Sequence, residues 1–197
     1  MMRSVYSALV ISILFPLLAY SQTQDKIIDW HPRTLQGNFV KGEDGKQVSS
    51  NIEALKIIEI KVDGKIVTLG RTFSATGDWL KNLTVKVRNT SGKSISSIRM
   101  HFNLPEAKYK EGTIGFSLEY GKALSTGINY GLQKIIMPDE EIILYRNDAH
   151  YNRDRDGIAQ RAGITDFSNV LIGMTIVQFE DDTVWSSGKL QLTNQNN

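Results

Sequence analysis

Cysteine is absent from this chain, and proline occupies only 4 of its 197 positions. Without cysteine there are no disulfide staples, no thiolate metal ligands, no cysteine nucleophile and no lipid-modified cysteine, so the core must hold by burial alone. An excess of charge of one sign is also lacking, with 23 basic side chains against 21 acidic ones. A dedicated nucleic-acid binder carries a strong basic excess, so nucleic acid is not an expected partner. Long hydrophobic runs are confined to residues 8–20 (ALVISILFPLLAY). That run is shorter than the about 20 residues a membrane-spanning helix needs.

What is present at the start has the layout of an export signal. Arg3 gives a positive beginning, the apolar run follows, Ala19 and Ser21 place small residues where a signal peptidase inspects, and Gln22, Thr23, Gln24 and Asp25 are polar. The pattern predicts a signal peptide over 1–21, cleavage after Ser21, a periplasmic or secreted protein, and no transmembrane segment thereafter. Residues 22–53 are polar and Gly-rich with no lasting period, which reads as a flexible lead-in. The domain proper is expected over 54–193, with a short tail at 194–197.

From Ala54 a period of two takes over, the mark of strands. Leu55, Ile57, Ile58, Ile60 and Val62 lead into Asp63-Gly64, and Lys65, Ile66, Val67 and Leu69 lead out. Asp-Gly between two apolar runs predicts a hairpin, because a type I′ turn needs positive φ at both central positions. Leu83, Val85 and Val87 alternate with polar residues. After the turn at Asn89-Thr90-Ser91-Gly92, Ile98, Met100, Phe102 and Leu104 do the same, so two half-buried antiparallel strands are expected, the second ended by Pro105. Phe116, Leu118 and Tyr120, then Ile142 to Tyr145, then Val170, Ile172, Met174 and Ile176 make further runs, with a slip at Phe179 indicating a bulge. A last strand through Val184 and Trp185 heads towards Leu190 and Leu192. One segment reads as a helix, capped by Asp148 and stopped by Gly163, with Tyr151, Ile158 and Ala162 near one face. Seven or eight short strands with one peripheral helix predict an all-β protein, an immunoglobulin-like antiparallel β-sandwich.

Motifs that would carry chemistry are incomplete. Asn152, Asp154 and Asp156 followed by Gly157 match the opening of a calcium loop, making them the only metal candidates. Gly163 stands where the closing glutamate belongs, and Arg153 and Arg155 intrude. Ser186-Ser187-Gly188-Lys189 has the S-x-x-K spacing of penicillin-recognising enzymes without the S-D-N or K-T-G partners. His31, His101 and His150 are scattered at no metal-ligand spacing, and His101 is expected to be exposed on a strand. No cofactor motif is present. Trp79 and Trp185 are expected to fill the core, with an exposed stacking platform for carbohydrate as the alternative. Loops 108–115 and 125–133 are Gly-bearing and present Tyr109, Ile128 and Tyr130, which makes those three the candidate ligand-binding residues.

Four motifs also occur in a set order: Trp79-Leu80-Lys81, the turn Asn89-Thr90-Ser91-Gly92-Lys93, the strand end Phe102 to Glu106, and the hairpin from Phe179 through Asp181, Thr183 and Trp185 to Ser186. In this they resemble an uncharacterised family of exported bacterial proteins with a small immunoglobulin-like domain. The resemblance implies fold and compartment and no catalytic residues. Together these readings lead to a non-enzymatic exported binding module for a protein or cell-envelope partner. The alternatives are a carbohydrate-binding module and, second, a small hydrolase whose site is assembled across the fold.

Overall fold

A computed structural model describes residues 23–30, 38–41, 46–50, 53–121 and 134–187. The expected signal peptide, His31, Ile128, Tyr130 and the last strand's continuation to Leu190 and Leu192 lie outside these residues. Twelve strands and one helix are described: β1 (Gln24–Trp30), β2 (Asn38–Lys41), β3 (Gln47–Ser50), β4 (Leu55–Val62), β5 (Lys65–Ile66), β6 (Thr72–Ala75), β7 (Leu83–Asn89), β8 (Ile95–Tyr109), β9 (Gly112–Gly121), β10 (Glu141–Tyr145), α1 (Asp148–Ala162), β11 (Asn169–Phe179) and β12 (Val184–Ser187). They form a two-sheet, all-β sandwich.

The smaller sheet has the order β10-β7-β4-β5, with antiparallel neighbours. Its inner face is set by period-two alternation: Leu83, Val85 and Val87 of β7 are buried while Thr84, Lys86 and Arg88 are not. The hairpin from β4 to β5 turns at Asp63 and Gly64 with φ of 50° and 75°, as the Asp-Gly pair predicts.

The larger sheet is built around β11. Its one side pairs with β8, which in turn pairs with β9; its other side is shared by β1 near the start and β12 near the end. β6 extends β1, and β2 and β3 extend β12. Phe102, Met100 and Ile98 of β8, Leu118 of β9 and Ile172 and Val177 of β11 meet the inner face of the smaller sheet in one core.

Several expectations are corrected here. The stretch read as a flexible lead-in supplies β1, β2 and β3, and β1 runs parallel to β11 with Ile28 fully buried. The two strands flanking Asn89-Thr90-Ser91-Gly92 do not pair with each other. β7 belongs to the smaller sheet and β8 to the larger, so the turn carries the chain across the sandwich. Pro105 does not end β8, which runs on to Tyr109; the ladder to β9 is merely irregular between Asn103 and Lys108. In β11 the register to β8 shifts between Gln178 and Phe179, as the slip there predicts, and also earlier, at Gly173 and Met174. Thr175, Val177 and Phe179 are therefore buried, and Met174 and Ile176 are only half-buried.

The helix is capped by Asn147 rather than Asp148. The Asn147 side chain accepts from the His150 amide, and Gly163 ends the helix at φ 72°. Tyr151 and Ile158 are its buried side chains, and it packs against β8 and β9. Among the described residues no helix is long and apolar enough to cross a membrane.

Candidate functional site

Both β9 and β10 have one partner strand each, so each leaves one backbone edge unpaired among the described residues. These two edges face one another across the side of the sandwich. Between them lies a groove of about 350 Å³. Ser117 and Glu119 line it from β9, and Ile143 and Tyr145 from β10. Tyr120 and Lys134 also border it, as do Asn147 and His150 at the start of α1. Ile143 and Tyr145 are 54% and 65% exposed, large values for side chains of that size.

The floor is pinned by Arg146. Its Nη2 donates to the Ser117 carbonyl at 2.6 Å and lies 2.8 Å from Asp154 of α1, while its guanidinium sits 4.5 Å from the Phe116 ring. One side chain thus ties β9, the end of β10 and the helix together. It also satisfies a carbonyl that an added strand would otherwise use. Towards the Tyr120 end, the tyrosine hydroxyl donates to the Lys134 carbonyl at 2.7 Å, and the Lys134 ammonium meets Glu140 at 2.6 Å. That pairing raises the lysine and lowers the glutamate from their ordinary values. The Tyr120 phenol is pushed up, first by burial and then by the negative charge of Glu140.

The strand pairing brings Ser117 opposite His101, with His101 Nδ1 3.3 Å from the serine Oγ. His101 is half-buried rather than exposed, because the neighbouring glycines make room for side chains to lie flat. A Cβ on Gly115 would stand 2.9 Å from its Nε2, and one on Gly173 2.6 Å from Asn103 Nδ2. Burial holds the imidazole below its ordinary value, the Asn103 hydrogen bond opposes this, and the charge of Arg99 adds to it. A neutral imidazole beside a hydroxyl has the outline of a base and a nucleophile. Yet among the described residues no carboxylate is hydrogen-bonded to the ring, and Glu119 is held by Arg99 Nε at 2.7 Å. The imidazolium formed on proton abstraction would face both burial and Arg99. The Nη2 of Arg99 and the Oγ of Ser97, two positions apart along β8, are buried without a partner among the described residues.

The residues singled out in the sequence are dispersed. Trp79 and Trp185 are 0% and 3% exposed, which overturns the stacking-platform alternative for them. Trp79 lies in a short 3-10 turn (Trp79–Asn82), donates from Nε1 to the Phe167 carbonyl at 2.8 Å and meets Phe73 edge-on at 5.3 Å. Tyr109 is 43% exposed, but the stretch expected as loop 108–115 is the tip of the β8–β9 hairpin, turning at Lys110 with φ 53°. Tyr109 does not border the groove.

The incomplete calcium-loop opening at Asn152, Asp154 and Asp156 does not form a loop in the fold. All three sit within α1, where alternate residues point about 200° apart instead of converging. Asp154 pairs with Arg146 and Arg153, and Asp156 with Arg155. No cluster of three or more metal-ligating side chains occurs among the described residues. Sequence reasoning missed the groove because its walls come from strands of two different sheets, whose meeting depends on the fold. The one available signal was the outward placement of Ile143 and Tyr145 in an otherwise polar register.

The four ordered motifs turn out to brace the fold. Asn89 Nδ2 donates to the carbonyls of Lys93, Ile136 and Met137; Lys93 pairs with Asp181 at 2.6 Å; Asp181 accepts from Thr183; and Glu106 accepts from the Ser168 amide. Comparison with known proteins finds no matching family model, no matching curated protein and no matching solved structure.

Proposed function

We propose that this chain is a non-enzymatic exported binding module that recognises a protein partner of the cell envelope through the groove between β9 and β10. The supporting observation is the groove itself: two strand edges that pair with no further strand among the described residues, with exposed Ile143 and Tyr145 on one wall and Tyr120 at one end. An extended segment suits such a place, since its side chains settle between the edges while some backbone groups stay available. Arg146 already occupies the Ser117 carbonyl, so side-chain contacts carry more of the recognition than a full added strand. Export to the periplasm or beyond belongs to the same proposal, resting on residues 1–21, as do the immunoglobulin-like kinship and the resemblance to the exported family. Replacing Tyr120 and His150 together with serine should abolish recovery of the partner from an envelope extract while leaving the melting temperature within a few degrees. Undiminished recovery by the double variant defeats the groove as the recognition surface.

A second reading, a small hydrolase, is favoured by the Ser117–His101 pair alone. Hydrolysis of an ester or peptide that Ser117→Ala abolishes would establish it.

A further inference from the structure

The outer face of the smaller sheet carries a second kind of surface. The pairing registers place its outward side chains in rows. Ile66, Lys61, Thr84 and Tyr145 form one row across the four strands; Glu59, Lys86 and Ile143 form the next; Lys56, Arg88 and Glu141 form the third. Four cations therefore stand among two carboxylates on this face, in a chain whose net charge is only +2. Glu141 is shared between Lys86 and Arg88, and Glu59 pairs with Lys61, so the face stays positive after its internal pairs are counted. Three of the six exposed large apolar side chains among the described residues lie on it: Ile66 at 68%, Tyr145 at 65% and Ile143 at 54%.

Charge and shape select one occupant. β4 and β7 are central strands with both edges paired, so an acidic peptide crossing them would find no free backbone to bond. A bilayer needs none. It offers negative headgroups to the lysines and arginine, and a headgroup–acyl boundary for the isoleucines and the tyrosine; basic and apolar signals together are what hold a peripheral protein on a membrane. We infer that the outer face of the β10-β7-β4-β5 sheet docks on an anionic lipid surface, with Lys56, Lys61, Lys86 and Arg88 meeting the headgroups and Ile66, Ile143 and Tyr145 entering the interface. The surface is independent of the groove except at Ile143 and Tyr145, where the two adjoin.

Co-sedimentation with vesicles tests this, using the chain from Gln22 onward and phosphatidylglycerol mixed into phosphatidylcholine. The protein should bind the mixed vesicles and not phosphatidylcholine alone, and binding should fall steeply as salt rises to several times the physiological level. Lys56→Gln with Lys61→Gln and Lys86→Gln should weaken binding more than about tenfold. Ile66→Ser should weaken it at every salt concentration. None of these four residues borders the groove, so partner recovery should be unaffected, which separates failure here from failure of the binding-module reading. Equal binding to neutral vesicles, undiminished binding by the triple variant, or tight binding to polyglutamate with none to the mixed vesicles would overturn the inference.

Discussion

Arg99 and Glu119, on the outer face of the larger sheet, keep 18% and 15% of their side chains exposed, whereas Arg88, on the outer face of the smaller one, keeps 43%. Both strands read alike in the sequence: Arg99, His101 and Asn103 alternate with buried apolar residues in β8 as Thr84, Lys86 and Arg88 do in β7. What differs is the neighbours. β8 lies between strands carrying Gly115, Gly121 and Gly173, and over these its polar side chains lie down and bond to one another. β7 lies between strands with full side chains, and its cations Lys86 and Arg88, though paired with Glu141, keep 36% and 43% of their side chains exposed. Polar pairs that lie down under cover serve cohesion; those paired in the open keep surface available to a partner.

The comparison presumes that the two sheets share one core, and the most damaging test is there. Phe102 is fully buried and stacks on Phe116 with ring centroids 5.0 Å apart. Phe102→Ala should cost about 3–5 kcal/mol in urea unfolding, with a single transition in which both sheets are lost together. Two separate transitions would mean that the sheets are not one cooperative unit.

The crossing between the sheets is the next place to press. Asn89 occupies an inward position at the end of β7, is 1% exposed, and directs its Nδ2 to three carbonyls while its Oδ1 accepts from the amide and hydroxyl of Ser91. Asn89→Ala should destabilise by about 2–3 kcal/mol, because the buried carbonyls lose their donor. A smaller change, under about 0.5 kcal/mol, would show that other groups satisfy them.

Asn89 also marks how far the sequence could be read. The strands β7, β8 and β9 were legible because each keeps apolar residues on one face at alternating positions, and β10 by its apolar run from Ile142 to Tyr145. β1 was not, since its inward positions hold Lys26 and Ile28, and a lysine breaks the apolar period. Only the fold supplies the reason it is tolerated: Asp166, 140 positions along the chain, meets its ammonium at 2.7 Å. The turn after Asn89 has the same residues whether the chain doubles back in one sheet or crosses to another. Its course is decided by whether β10 or β8 lies beside β7, a long-range matter. The groove was illegible for the same reason, as it exists only where β9 and β10 come together.

The glycines that separate the two outer faces can be removed singly. A Cβ on Gly115 would stand 2.1 Å from the Phe102 carbonyl oxygen as well as against the His101 ring, whereas one on Gly112 in the same strand meets nothing within 4 Å. Gly115→Ala should therefore cost about 1–3 kcal/mol and Gly112→Ala well under that. Equal effects would detach the glycines from the way β8's side chains lie.

The smallest effect is the dependence on acid, and it distinguishes the faces most cleanly. Burial keeps His101 below its ordinary 6.5 in the folded chain, against the Asn103 hydrogen bond and with help from Arg99, so the unfolded chain takes up its proton first as pH falls. More protons on the unfolded state mean that stability rises with pH. The contribution is complete above about pH 6.5 and declines as pH drops below it. Asp181, held down to about 2 by Lys93 and Thr183, acts in a lower window: its stabilisation is present above its ordinary 3.8 and is lost only as pH falls towards about 2. Urea midpoints measured between about pH 7 and pH 5 should fall for the native sequence and fall less for His101→Gln, which keeps a polar group opposite Ser117. Replacing Lys56 with glutamine should leave that slope unchanged, because Lys56 lies on β4, in the sheet that does not carry His101. A slope shared by all three proteins would place the acid sensitivity elsewhere, and the outer face of the larger sheet would no longer differ from its counterpart in the way its half-buried histidine requires.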